Sequence, residues 1–167
     1  MPEPGSPAGP VPKHAARATR TAGRVMRSRL LDAASALFKA GGLASVSIAD
    51  IAGRAGSFPS QITYYFRTKE ALFVEAACRD VLYAASSAEQ RAARQQTPER
   101  YTRSLVDSVM TADALGFFIE AMVLARRRPD LAPLVERTLE RLHAEGTRAY
   151  ADQMAAYFYN DELELGQ

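Results

Sequence analysis

The chain has 167 residues, 47% hydrophobic and 24% charged, proportions that suit one compact globular unit or two small ones sharing a core. Its single cysteine, Cys78, excludes an internal disulfide framework and reads as a small buried apolar residue. No run approaches the roughly 20 apolar residues that cross a bilayer, so a cytoplasmic protein without membrane contact is expected. The net charge of +2 hides a division. Residues 1–70 hold ten Lys/Arg against four Asp/Glu, whereas residues 71–167 hold eleven against fifteen. A basic head on an acidic body suits a nucleic-acid-facing module joined to one that does not touch the ligand.

Residues 1–22, rich in Pro, Ala, Gly and basic side chains, offer little to bury and read as a flexible basic tail. Lys13, Arg17, Arg20 and Arg24 make it either an arm that touches phosphates or a solvated leader. Helical periodicity starts near Arg24: Leu30, Ala34, Leu37 and Phe38 share one face until Gly41-Gly42 stops the helix. Ser47-Ile48-Ala49-Asp50, a serine three residues before an acid, opens a second, short helix that ends at Ala55-Gly56. Pro59 suits the first turn of a third, which turns Ile62 and Phe66 inward. Thr68 caps a fourth and longer helix toward Ala93, with Leu72, Phe73 and Ala76 inward.

Thr97-Pro98-Glu99 begins the next helix, and Tyr101, Leu105 and Val109 line one side of it. Residues 114–125 are apolar nearly all round, which predicts a central core helix ended by Arg126-Arg127-Arg128-Pro129. Asp130 then starts a long last helix with Leu131, Val135, Leu139 and Leu142 on one stripe. No alternating strand pattern appears, so the fold class is all-α.

Two short helices joined by a glycine turn, braced on both sides, form a helix-turn-helix, whose second helix enters the major groove. With Ile62 and Phe66 inward, Ser60, Gln61, Thr63 and Tyr64 face out. Gln bonds adenine bidentately, Thr meets base edges or a thymine methyl, and Tyr reaches phosphates or stacks.

Residues 25–70 resemble the head of the tetracycline-repressor (TetR) family of bacterial transcriptional regulators. The likeness runs through Leu30-Leu31-Asp32-Ala33-Ala34, Gly41-Gly42, Ser47 to Ala52, Ala55-Gly56, Ser60 to Phe66 and Thr68-Lys69-Glu70-Ala71-Leu72-Phe73. It implies a helix-turn-helix domain over residues 23–70, with the motif at about 47–66, and a helical effector-binding and dimerisation body over 71–167. It further implies a homodimer, commonly a repressor, on a pseudo-palindromic operator of double-stranded DNA, with an unknown small-molecule effector in the body. Carried over by position, Ser47 and Lys69 bind phosphate, while Ser60, Gln61, Thr63 and Tyr64 lie on the DNA face. Tyr65 either packs or meets the backbone. Candidates for the effector pocket are Tyr83, Tyr101, Met110, Phe117, Phe118 and Met122.

The chain departs from the family pattern twice. Where the family has an aliphatic residue and then a capping Ser or Thr, this chain has Ser57-Phe58. Either Ser57 takes over the cap or Phe58 rotates into the core. The acidic end, residues 160–167, is short for a second helix of the usual dimer bundle, so the dimer uses fewer helices or forms poorly. A helical interaction protein of the same fold that has lost operator binding is the alternative. An enzyme is not expected, nor a cofactor or metal: His14 and His143 pair with no nucleophile, and no phosphate loop follows a strand.

Overall fold

A computed structural model describes residues 13–165, and among these every regular element is helical. The order is α1 (Lys13–Ser45), α2 (Ile48–Ala55), α3 (Pro59–Phe66), α4 (Lys69–Ala92), α5 (Pro98–Met110), α6 (Asp113–Arg127) and α7 (Ala132–Leu165), with one 3-10 turn at Pro129–Leu131.

The first helix begins at Lys13, well before the apolar periodicity does, which corrects the reading of residues 13–22 as a loose tail. Ala15, Ala16 and Ala18 with Arg17 and Arg20 are strong helix formers, and they extend α1 outward with little burial. Residues 1–12 lie outside the described part. Toward its other end α1 breaks at Gly42, whose φ of 77° and ψ of 168° suit a residue without Cβ.

The core is one cluster. Leu30, Ala34 and Phe38 of α1 meet Ile51 and Ala52 of α2, Ile62 and Phe66 of α3, and Leu72, Phe73 and Ala76 of α4. Phe73 makes edge-to-face contacts with Phe38 and with Phe117 of α6, joining head to body through a single ring. The fourth helix is the hub, packing against α1, α5, α6 and α7 as well as α3. Charged pairs reinforce its seam with α1. Arg27 pairs with Glu75, Lys39 with Asp80 at 3.1 Å, and Arg79 with Asp32 at 2.8 Å, while the buried Ser35 hydroxyl donates to Asp80.

Helix α6 is less enclosed than its composition suggests. Ala114, Phe117, Phe118, Ala121 and Ala125 face the core, but Ile119 and Val123 are about half exposed on the opposite side. No single helix among the described residues is long and apolar enough to cross a membrane.

Candidate nucleic-acid interface

The head is built by its caps. Ser47 and Asp50 form the reciprocal box that their spacing predicts: the Asp50 amide donates to Ser47 Oγ at 3.0 Å, and the Ser47 amide donates to the Asp50 carboxylate at 2.9 Å. The Ser47 hydroxyl also donates to that carboxylate, at 2.7 Å. These donors hold the exposed Asp50 carboxyl below its ordinary value. Gly56 ends α2 in the left-handed region, at φ 63° and ψ 43°, and a Cβ there would lie 3.3 Å from the Arg29 guanidinium.

At the start of α3 neither expected solution to the Ser57-Phe58 departure is realised. Ser57 Oγ is buried and finds no partner, and Phe58 occupies the N-cap with no side-chain bond to the helix. Only its carbonyl contributes, accepting from the Gln61 amide at 3.0 Å. Losing a side-chain cap costs about 1 kcal/mol. Pro59 at the first position offsets part of this, since its φ is preset for a helix.

Ile62, fully buried, and Phe66 anchor α3 on one side. Ser60, Thr63 and Tyr64 stand exposed on the other, with Tyr64 at 77%, and Gln61 is half-buried beside them. These four share the outer face. Tyr65 sits on the flank: it packs against the core cluster, meets Tyr64 edge-on at 5.0 Å, and its hydroxyl approaches α1 where a Cβ on Gly23 would be 3.3 Å away.

A tight turn follows α3. Arg67 takes φ 68° and ψ −52°, and the Thr68 amide donates to the Phe66 carbonyl at 2.8 Å, closing a three-residue turn that is strained for a side-chain-bearing residue. Thr68 then caps α4 by accepting from the Ala71 amide at 3.0 Å. Lys69, one residue inside, reaches back so that Nζ donates to the Val46 carbonyl at 3.0 Å. Its charge therefore lies beside Ser47, although the two are 22 residues apart in sequence, and two of its three donors are left for other acceptors. Above the head, Arg17, Arg20 and Arg24 are exposed on one side of α1, and none pairs with a carboxylate among the described residues.

In the body, α4 to α7 enclose a cavity of about 340 Å³ with an almost wholly apolar wall. Of the six effector candidates, Phe118 and Met122 line it. Phe117 is buried against Phe73 instead. Tyr101 is buried between Tyr150 and Tyr157, and its phenol is pushed up by burial and then by the nearby Glu89. Tyr83 and Met110 are turned largely to solvent and do not line the cavity. Sequence reasoning missed the aliphatic lining, including Val81, Ala84, Ala85, Leu115 and Leu142. Cys78 is buried, and its thiol is pushed up by desolvation, which leaves it a packing residue.

An uncharged polar helix face held outward by buried anchors, on a basic head flanked by free arginines, defines a DNA-binding transcription regulator of the helix-turn-helix class. Residues 30–76 match the family model described as bacterial regulatory proteins of the tetR family, and residues 98–162 match that of a bacterial transcriptional repressor C-terminal region. A solved structure from Rhodococcus sp. RHA1, described as a transcriptional regulator, is 40% identical over 76% of this chain and 67% of its own, with a TM-score of 0.71. The TetR transcription regulatory protein from Mycobacterium vanbaalenii is 25% identical over 88% of this chain and 95% of its own, with a TM-score of 0.50. A structure from Mesorhizobium loti MAFF303099, described as a TetR-family regulator, shares the fold at 20% identity and a TM-score of 0.62, over 80% of this chain and 70% of its own. No curated protein matches. The chain belongs to the TetR family of transcriptional regulators.

Proposed function

We propose that this protein is an effector-responsive repressor that grips a pseudo-palindromic operator as a homodimer, with α3 of each subunit in a major groove. The observation that carries this reading is the outer face of α3. Ser60, Thr63 and Tyr64 are exposed and Gln61 is half-buried beside them, on a helix held to the core by the buried Ile62 and Phe66 and flanked by Tyr65. Gln61 and Thr63 read base edges, and the Tyr64 ring at the crest of the face packs against the bases in the groove. Lys69, Ser47 and the amino end of α4 bind the backbone, where the helix dipole adds to the lysine charge. Tyr65 serves chiefly to seat α3 on α1.

The apolar cavity suits an uncharged effector of modest size, since its wall offers almost nothing to pair with a charge. Helix α4 carries Lys69 at its amino end and Val81, Ala84 and Ala85 further along, so a ligand that shifts α4 also moves the phosphate contact. The exposed Ile119 and Val123 on α6 form the apolar flank on which a second copy docks.

Alanine substitutions separate the roles. Gln61→Ala and Tyr64→Ala are expected to abolish discrimination between operator and random duplex, each wrong contact being worth about 1–3 kcal/mol. Lys69→Ala is expected to weaken both duplexes alike and to flatten the salt dependence. A change of base preference in Lys69→Ala, measured by competition binding, contradicts the assignment.

A further inference from the structure

Phe58 is the one large apolar side chain at the leading end of α3, and the core formed by the described residues does not use it. It is 74% exposed, it belongs to no part of the core cluster, and at the N-cap it provides no hydrogen bond. A serine or threonine there would stabilise the helix, so the phenyl ring is retained at a position where it weakens its own element. The exposed side of the chain continues from it into Ser60, Gln61 and Thr63, of which Gln61 and Thr63 are assigned to base edges. In a helix-turn-helix, the amino-terminal residues of the second helix come closest to base edges. A phenyl ring neither donates nor accepts hydrogen bonds, and the one apolar feature that a major groove displays is the thymine 5-methyl group. Insertion between base steps belongs to the minor groove, which this helix does not enter in the proposed docking.

We infer that Phe58 is a specificity-determining residue that packs on a thymine methyl at the edge of each operator half-site. This rests on the reading of α3 as the groove helix, and it adds a thymine contact at the leading end of that helix, separate from any that Thr63 makes.

The test uses a duplex selected by the full chain from a randomised 30-base-pair library, in which each thymine is replaced singly by uracil to delete one methyl. The wild-type protein is expected to lose about fourfold in affinity at one thymine per half-site, the worth of one buried methyl. Phe58→Ala is expected to bind thymine and uracil duplexes equally at that position while keeping its preference at the others. Phe58→Ser supplies the missing cap, so its melting temperature rises while the methyl discrimination is lost. A purely structural role for Phe58 moves melting temperature without touching that ratio. An undiminished thymine preference in Phe58→Ala overturns the inference while leaving the DNA-reading function intact. So does a change in its sedimentation that marks Phe58 as a contact between copies. Failure of the library to enrich any duplex overturns both.

Discussion

Asp50 shows how one side chain fixes the geometry on which the head depends. Its carboxylate accepts from the Ser47 amide and hydroxyl, and these donors lower its pKa even though the group lies at the surface. A carboxyl depressed in the folded state contributes stability above the ordinary aspartate value of about 3.9, and that contribution is lost as pH falls through the lower folded value. Acidification is therefore expected to open the amino end of α2 ahead of its neighbours. The Ser47 amide resonance should titrate with an apparent pKa below the ordinary value in the wild type and stay flat in Asp50→Asn. An unperturbed titration would contradict the box. This cap was legible in the residues Ser47 to Asp50, because capping is a local matter of spacing. The exposure of Phe58 was not, since one expected fate was a cap from Ser57 and the other a place in the core, and whether a core admits a ring is decided by packing rather than by spacing.

Among elements, α1 diverges most from its sequence pattern. Apolar periodicity detects a helix by the face that it buries, and residues 15–22 bury almost none, so the signal began near Arg24 while the helix began at Lys13. The consequence is electrostatic. On a rigid helix, Arg17, Arg20 and Arg24 recur at intervals of three and four residues and form one stripe, whereas on a loose arm they would have no common direction. Each phosphate that such a stripe neutralises steepens the dependence of binding on salt by about 0.9. Replacing all three arginines by alanine is expected to reduce the slope of log affinity against log salt by about two to three, with sequence preference unchanged. An unaltered slope would place the stripe away from the backbone. Helix α3, by contrast, was readable from Pro59 onward: its proline and its anchors follow from residues 59–66, and of the four residues expected to face out only Gln61 is half-buried.

For the molecule as a whole, the division of charge and the centrality of α4 fit together. The basic head and the acidic body share one helix, and the pairs Arg27–Glu75, Lys39–Asp80 and Arg79–Asp32 tie that helix to α1 along the head. The apolar cavity was poorly legible because it is a space left by small residues, Ala84, Ala85 and Ala112, where four helices meet. An absent side chain has no periodicity, and the aromatic residues singled out for the pocket are in large part core or surface. The side of α6 proposed for docking has a similar history: residues 114–125 read as enclosed, and only packing shows which side of α6 stays open. Introducing Ile119→Asp and Val123→Asp together is expected to give a folded monomer in sedimentation and to weaken operator binding at least tenfold, because two half-sites no longer act as one. A dimer that persists would move the interface elsewhere on α7.

The claim on which the account turns is that α3 reads base edges in double-stranded DNA. Binding of the purified chain to duplexes from the DNA flanking its own gene, against a scrambled duplex at two salt concentrations, tests it directly. The account predicts a preference for one flanking duplex of at least a hundredfold, with affinity falling steeply for both as salt rises. Equal affinity for flanking and scrambled duplexes at both salt concentrations, or no binding to either, would contradict it.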